Sequence, residues 1–152
     1  MKKKKIAPFR KWVGEWSGRG VTKKDVAVTT RLVIQPRMAD QALEFVVEST
    51  ATDSHELVHG VVALLGVDPD DVLRMCVYST LHGSMVMPVT PEDPGALAIE
   101  GTNVHGNRVV VSLIEENGGL MLTSYWKPEL PADAEPVGFS NVLLKRIALA
   151  DD

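Results

Sequence analysis

The sequence predicts an all-β chain rolled into a single antiparallel up-and-down barrel of about ten strands, with a short helical turn at its N-terminus. Three observations lead there. From Val13 onward the apolar residues recur every second position, the spacing of half-buried strands rather than of helices. Twelve Gly and nine Pro punctuate the 152 residues at short intervals, as many brief strands joined by turns require. No long segment has the period of an amphipathic helix. Consecutive strands joined mostly by hairpins suit closure into a barrel, which removes exposed sheet edges, whereas a sandwich needs longer crossing connections.

The elements follow in order. Ile6, Phe9, Trp12 or Val13, and Trp16 fall three to four apart, which suits a helical turn before the first strand. Trp16-Gly18-Gly20 then alternates with Glu15-Ser17-Arg19, Val26-Val28-Thr30-Leu32-Ile34 with Ala27-Thr29-Arg31-Val33-Gln35, and Leu43-Phe45-Val47-Ser49 with Glu44-Val46-Glu48. Further strands are expected at 57–66, 72–81, 84–89, 96–102, 107–115, 119–127 and 138–147. Their separators hold turn residues: Asp53-Ser54, Asp68-Pro69-Asp70, Pro91-Glu92-Asp93-Pro94-Gly95, His105-Gly106-Asn107 and Asn117-Gly118-Gly119. Asn117-Gly118 is the clearest hairpin signal, because both central residues of a tight primed turn need positive φ. Pro128 to Pro136, with three Pro and three acids, reads as a surface loop.

Composition sets the frame for function. With 45% hydrophobic and 24% charged residues, the chain suits one domain that hides roughly 70% of its unfolded surface. No apolar run is long enough for a transmembrane helix. The lone Cys76 excludes an intrachain disulfide and suits a reducing, cytoplasmic setting; it reads as a buried, inert thiol. Residues 1–37 carry a net +9 and the remainder −13. Lys2 to Lys5 resemble the start of a secretory signal, but Pro8 and Arg10 interrupt the apolar region that must follow. The expected layout is a basic, flexible tail over 1–10, a barrel domain over 11–148 and a C-terminal tail over 149–152. Only Trp12 beside Arg10 and Lys11 joins an aromatic to basic residues, so no specific nucleic-acid site is expected.

Gly14-Glu15-Trp16-Ser17-Gly18-Arg19-Gly20, opening the first strand, resembles the Gly-x-Trp signature of calycins, the superfamily of lipocalins, fatty-acid-binding proteins and nitrobindins. The resemblance implies that Trp16 closes one end of the barrel beneath a basic residue of the last strand. Arg146, or Lys145 in the other register, would fill that role by cation–π attraction. More narrowly, Lys11 to Ile147 resembles a bacterial calycin-like family of unknown function that begins with Gly-x-Trp-x-Gly. That family has a polar and Met-rich middle segment, here Tyr78-Ser79-Thr80-Leu81-His82-Gly83-Ser84-Met85-Val86-Met87.

A consistent inward set contains no charged residue: Trp16, Gly18, Val26, Val28, Leu32, Leu43, Phe45, Val47, Leu73, Met75, Val77, Met85, Met87, Leu97, Ile99, Val109, Val111, Leu113, Leu120, Leu122 and Trp126. Such an interior lacks a general acid and base pair and suits a small, mainly apolar ligand, bound without catalysis. The candidate ligand-binding residues are His59, Tyr78, His82, Met85, Met87, Ser124 and Trp126, with Gly14, Trp16 and Arg146 as structural, barrel-closing residues. Arg74 and Arg108 fall on the outward parity, which disfavours fatty acids held through a buried Arg. His55 and His105 read as solvated. A nitrobindin-type barrel would hold haem through a His near the last strands, but no His follows His105; His59, His82 or Met85 would have to substitute, so haem is disfavoured. No metal site is expected. Val46, Val58, Val62 and Leu64 offer an outer apolar patch for a homodimer.

Overall fold

The structure, a computed structural model, describes residues 2–22, 24–90 and 95–147. A five-residue helix α1 (Lys2–Ile6) runs into a 3-10 turn (Ala7–Trp12). Ten strands follow: β1 (Gly14–Val21), β2 (Ala27–Arg37), β3 (Ala42–Ala51), β4 (Leu57–Val67), β5 (Leu73–Ser79), β6 (Gly83–Thr90), β7 (Ala96–Thr102), β8 (Asn107–Glu116), β9 (Gly119–Pro128) and β10 (Val137–Arg146). Each strand pairs antiparallel with its sequence neighbours, and β10 returns to β1, so the sheet closes into a ten-strand barrel. Asn117 and Gly118 both adopt positive φ (49° and 73°) between β8 and β9, as the primed hairpin demands.

Alternation decides what faces inward. The register Leu43↔Leu65↔Met75↔Met87 sets one apolar layer across four strands. Val47↔Val61↔Ser79↔Gly83 lies nearer the other end. The layers around Leu32, Ile34, Leu43, Leu65, Met87, Leu120 and Leu144 are fully buried.

Four expectations change. Ile6 and Phe9 are buried in the same cluster as Trp12 and Trp16, so the chain is folded onto the barrel well before residue 10. Amphipathic spacing, not the Lys run, governs that segment. Val26 is 43% exposed because it belongs to the β1–β2 turn, where its N–H donates to Thr22 Oγ1. Cys76 is exposed, not buried, since Met75 and Val77 on either side face inward. Tyr78 is 60% exposed for the same reason; it stands on the outer wall and lines no interior site. The expected C-terminal tail over 149–152 and most of the turn at 91–95 lie outside the described residues.

Candidate functional site at the open end of the barrel

The two ends are built differently. At one, the N-terminal turn lies across the barrel and the Arg146 guanidinium stands 4.2 Å from the centre of the Trp16 ring. The register Trp16↔Arg146 turns Arg146, not Lys145, toward the indole. Arg146 also donates to Val13 O (2.8 Å) and Lys11 O (2.7 Å). Gly14, at φ +138°, makes this possible: a Cβ there would sit 2.6 Å from the guanidinium. Trp16 Nε1 donates to Trp12 O at 2.9 Å, and Trp12 Nε1 to Glu115 Oε1 at 2.8 Å. Lys11 holds the same carboxylate oxygen at 2.8 Å. These two donors keep the Glu115 carboxyl below its ordinary pKa.

The opposite end is ringed by the β1–β2, β3–β4, β5–β6, β7–β8 and β9–β10 connections. Here inward-facing Val47, Val61, Val111, Leu122 and Trp126 are only partly buried, although they pack on the core. Among them stand His59 on β4, His82 in the β5–β6 turn and Trp126 on β9. Their rings form a row, with centroids 6.3 Å apart between His59 and His82 and 6.4 Å between His82 and Trp126. Ser124 faces the same interior, two residues before Trp126 and opposite Val111. Met85 and Met87 face inward too but are packed into the wall, with Met87 fully buried.

Two residues overlooked in the sequence hold the histidines. Ser79 Oγ lies 2.8 Å from His59 Nε2 and accepts the backbone N–H groups of Leu81 (3.1 Å) and His82 (3.2 Å). Asn103 Nδ2 lies 3.0 Å from His82 Nδ1, while Asn103 Oδ1 accepts from the N–H groups of His105 (2.9 Å) and Asn107 (3.0 Å). The only sequence signals were a Ser on the inward parity three residues before His82 and an Asn opening the turn at 103–106. Burial lowers the pKa of both histidines, and their mutual proximity adds to this at His59, while His105 adds at His82. Both rings are therefore neutral near pH 7. Gly138, at φ +65°, gives Trp126 its place: a Cβ there would lie 2.6 Å from the indole Nε1. His55 and His105 are exposed in turns. Arg74 faces outward and pairs with Asp68 and Asp70, as Arg108 does with Glu100.

The haem implied by a nitrobindin-type reading does not fit these residues. Iron takes a bare ring nitrogen, and a ligating imidazole donates its other N–H to an acceptor. In both rings the other nitrogen faces a donor instead: the Ser79 hydroxyl at His59 and the Asn103 amide at His82. Residues 139–141 contain no His, and Met85 is held among core side chains.

The molecule is thus a closed ten-stranded antiparallel barrel, covered at one end by the N-terminal turn and ringed at the other by strand connections. Among solved structures it is similar to Rv2717c from M. tuberculosis, with a TM-score of 0.67 at 11% identity over 94% of this chain and 97% of that one. The likeness is one of fold. No family model and no curated protein matches the sequence.

Proposed function

We propose that the barrel binds a small, mainly apolar molecule through its open end, without catalysis. The observation behind this reading is the contrast in burial along the inward face. Trp12, Trp16, Ile34, Leu120 and Leu144 toward the Trp16 end are buried, whereas Val47, Val61, Val111, Leu122 and Trp126 keep accessible apolar surface beside two neutral histidines. Covering such surface with a ligand stabilises the complex by about 25 cal/mol per Å², and a few placed polar groups orient it. Calycin kinship, including lipocalin-like binding, is part of this proposal, as is a cytoplasmic setting; no helix among the described residues is long and apolar enough to cross a membrane. The test is titration with apolar probes while tryptophan emission is recorded. Emission should shift in the native protein and not in Trp126→Phe; no shift with any probe would remove the reading.

A second reading rests on the outer wall. Val62 (48% exposed), Tyr78 and Val86 (63%) lie on adjacent strands β4, β5 and β6, and together with Leu64 and Cys76 they line a shallow apolar hollow. Contiguous apolar surface of this kind favours a homodimer. Sedimentation of native protein and Val62→Glu distinguishes them: a dimer should become monomeric in the variant, and a native monomer at high concentration excludes the interface.

A further inference from the structure

The bonding around the two histidines assigns their protons. A hydroxyl oxygen has two lone pairs and one hydrogen. Both lone pairs of Ser79 Oγ are taken by the N–H groups of Leu81 and His82, so its hydrogen goes to His59 Nε2. His59 therefore carries its own proton on Nδ1. At Asn103 the two backbone N–H groups identify Oδ1 as the oxygen, so Nδ2 donates and His82 Nδ1 accepts. His82 therefore carries its proton on Nε2. In each ring the nitrogen that accepts is used by the protein, and the N–H that remains has no acceptor among the described residues.

Trp126 continues the pattern. The indole N–H groups of Trp12 and Trp16 are both spent on protein oxygens, whereas Trp126 Nε1–H has no acceptor among the described residues. None of these three N–H groups is sealed from solvent, since no histidine or tryptophan nitrogen is a fully buried atom without a partner among the described residues. Three neighbouring rings thus present donors only, set among apolar side chains. Covering an unmatched donor with apolar groups takes away its hydrogen bond to water without replacing it, so a ligand that covers them must bring acceptors.

We infer that the open end selects ligands whose polar head is a hydrogen-bond acceptor without donors, a carbonyl or carboxylate oxygen, received by His59 Nδ1–H, His82 Nε2–H and Trp126 Nε1–H. This rests on the binding reading above and adds the chemistry of the head group. A cationic amine, which has only donors, is turned away by the same groups. Asn103 is the positioning residue of the arrangement. In Asn103→Asp the Oδ1 contacts to the two backbone N–H groups survive, but the donor to His82 becomes an acceptor. The His82 proton then moves to Nδ1 and the mouth loses a donor.

Two measurements test this. Long-range ¹H–¹⁵N correlation in the free protein should place the His59 proton on Nδ1 and the His82 proton on Nε2; the reverse in either ring overturns the assignment. Binding is then measured for four probes that share an apolar chain: octane, 2-octanone, octanoate and 2-aminooctane. The ketone and the carboxylate should bind about tenfold or more tighter than the amine, which corresponds to about 1.4 kcal/mol, and Asn103→Asp should narrow that gap while moving the His82 proton to Nδ1. Equal binding of ketone, carboxylate and amine would overturn the head-group inference and leave apolar binding standing. Failure of all four, octane included, would overturn both.

Discussion

The two ends of this barrel use the same kinds of residue, tryptophan flanked by polar groups, to opposite effect. At the sealed end the side-chain donors of both tryptophans and of Arg146 find partners: Trp16 with Trp12 O, Trp12 with Glu115, and Arg146 with two backbone carbonyls and an indole face. At the open end Trp126 and both histidines keep an N–H unmatched among the described residues, while the other ring nitrogen of each histidine is bonded. A matched buried donor contributes to stability, and an unmatched one is tolerated only where water or a ligand reaches it. On the proposed reading, the matched donors stabilise one end and the unmatched ones serve binding at the other.

The largest effect should come from breaking the sealed end. Trp16→Ala removes a buried indole and the face on which Arg146 rests, and should cost about 3–5 kcal/mol by urea unfolding. Trp126→Ala, at a half-buried position, should cost about 1–2 kcal/mol. Equal losses would erase the contrast between the ends.

Ser79→Ala should cost about 1–3 kcal/mol, because two backbone N–H groups and His59 Nε2 lose their partner together. Gly138→Ala forces a Cβ onto Trp126 Nε1 at positive φ and should cost about 1–2 kcal/mol. It should also shift tryptophan emission, a change that an alanine at exposed Gly106, also at positive φ, should not produce.

A smaller effect concerns pH. His59 and His82 have folded-state pKa values below the ordinary histidine value. Below about pH 6.5 the unfolded chain therefore takes up protons that the folded one resists. Stability is full above that pH and is lost as pH falls toward the folded-state values. Urea midpoints should decline over this window in the native protein, and much less in the His59→Asn and His82→Asn double variant. Smallest of all, Val62→Ser on the outer wall should change stability by less than about 0.5 kcal/mol, and a large loss there would mean that the wall is part of the core.

Much of this architecture is legible in the residues. Alternation from Trp16 to Ile34 and from Leu97 to Leu113 yields the strands and their inward faces, because a strand that buries one face must repeat every second residue. Where both faces are apolar the signal fails: Leu57-His59-Val61-Ala63 and Val58-Gly60-Val62-Leu64 read alike, and only pairing with Ser49 and Val77 turns His59 and Ala63 inward. Cys76 misled for a related reason, as hydrophobic character alone says nothing of direction when the outer wall beside it is apolar too. His82 was visible as a candidate, but Asn103, which sets its proton, lies 21 residues away.

A single all-β barrel, its strand spans, its Asn117-Gly118 turn and most of its inward set follow from the residues alone, because these depend on local dihedral preference and a period of two. Tertiary packing settles which basic residue covers Trp16, where Cys76 and Tyr78 point, and which nitrogens of His59 and His82 bond to the protein. Those outcomes depend on register between strands and on hydrogen bonds across the chain, and a one-residue slip would reverse them without altering any local pattern.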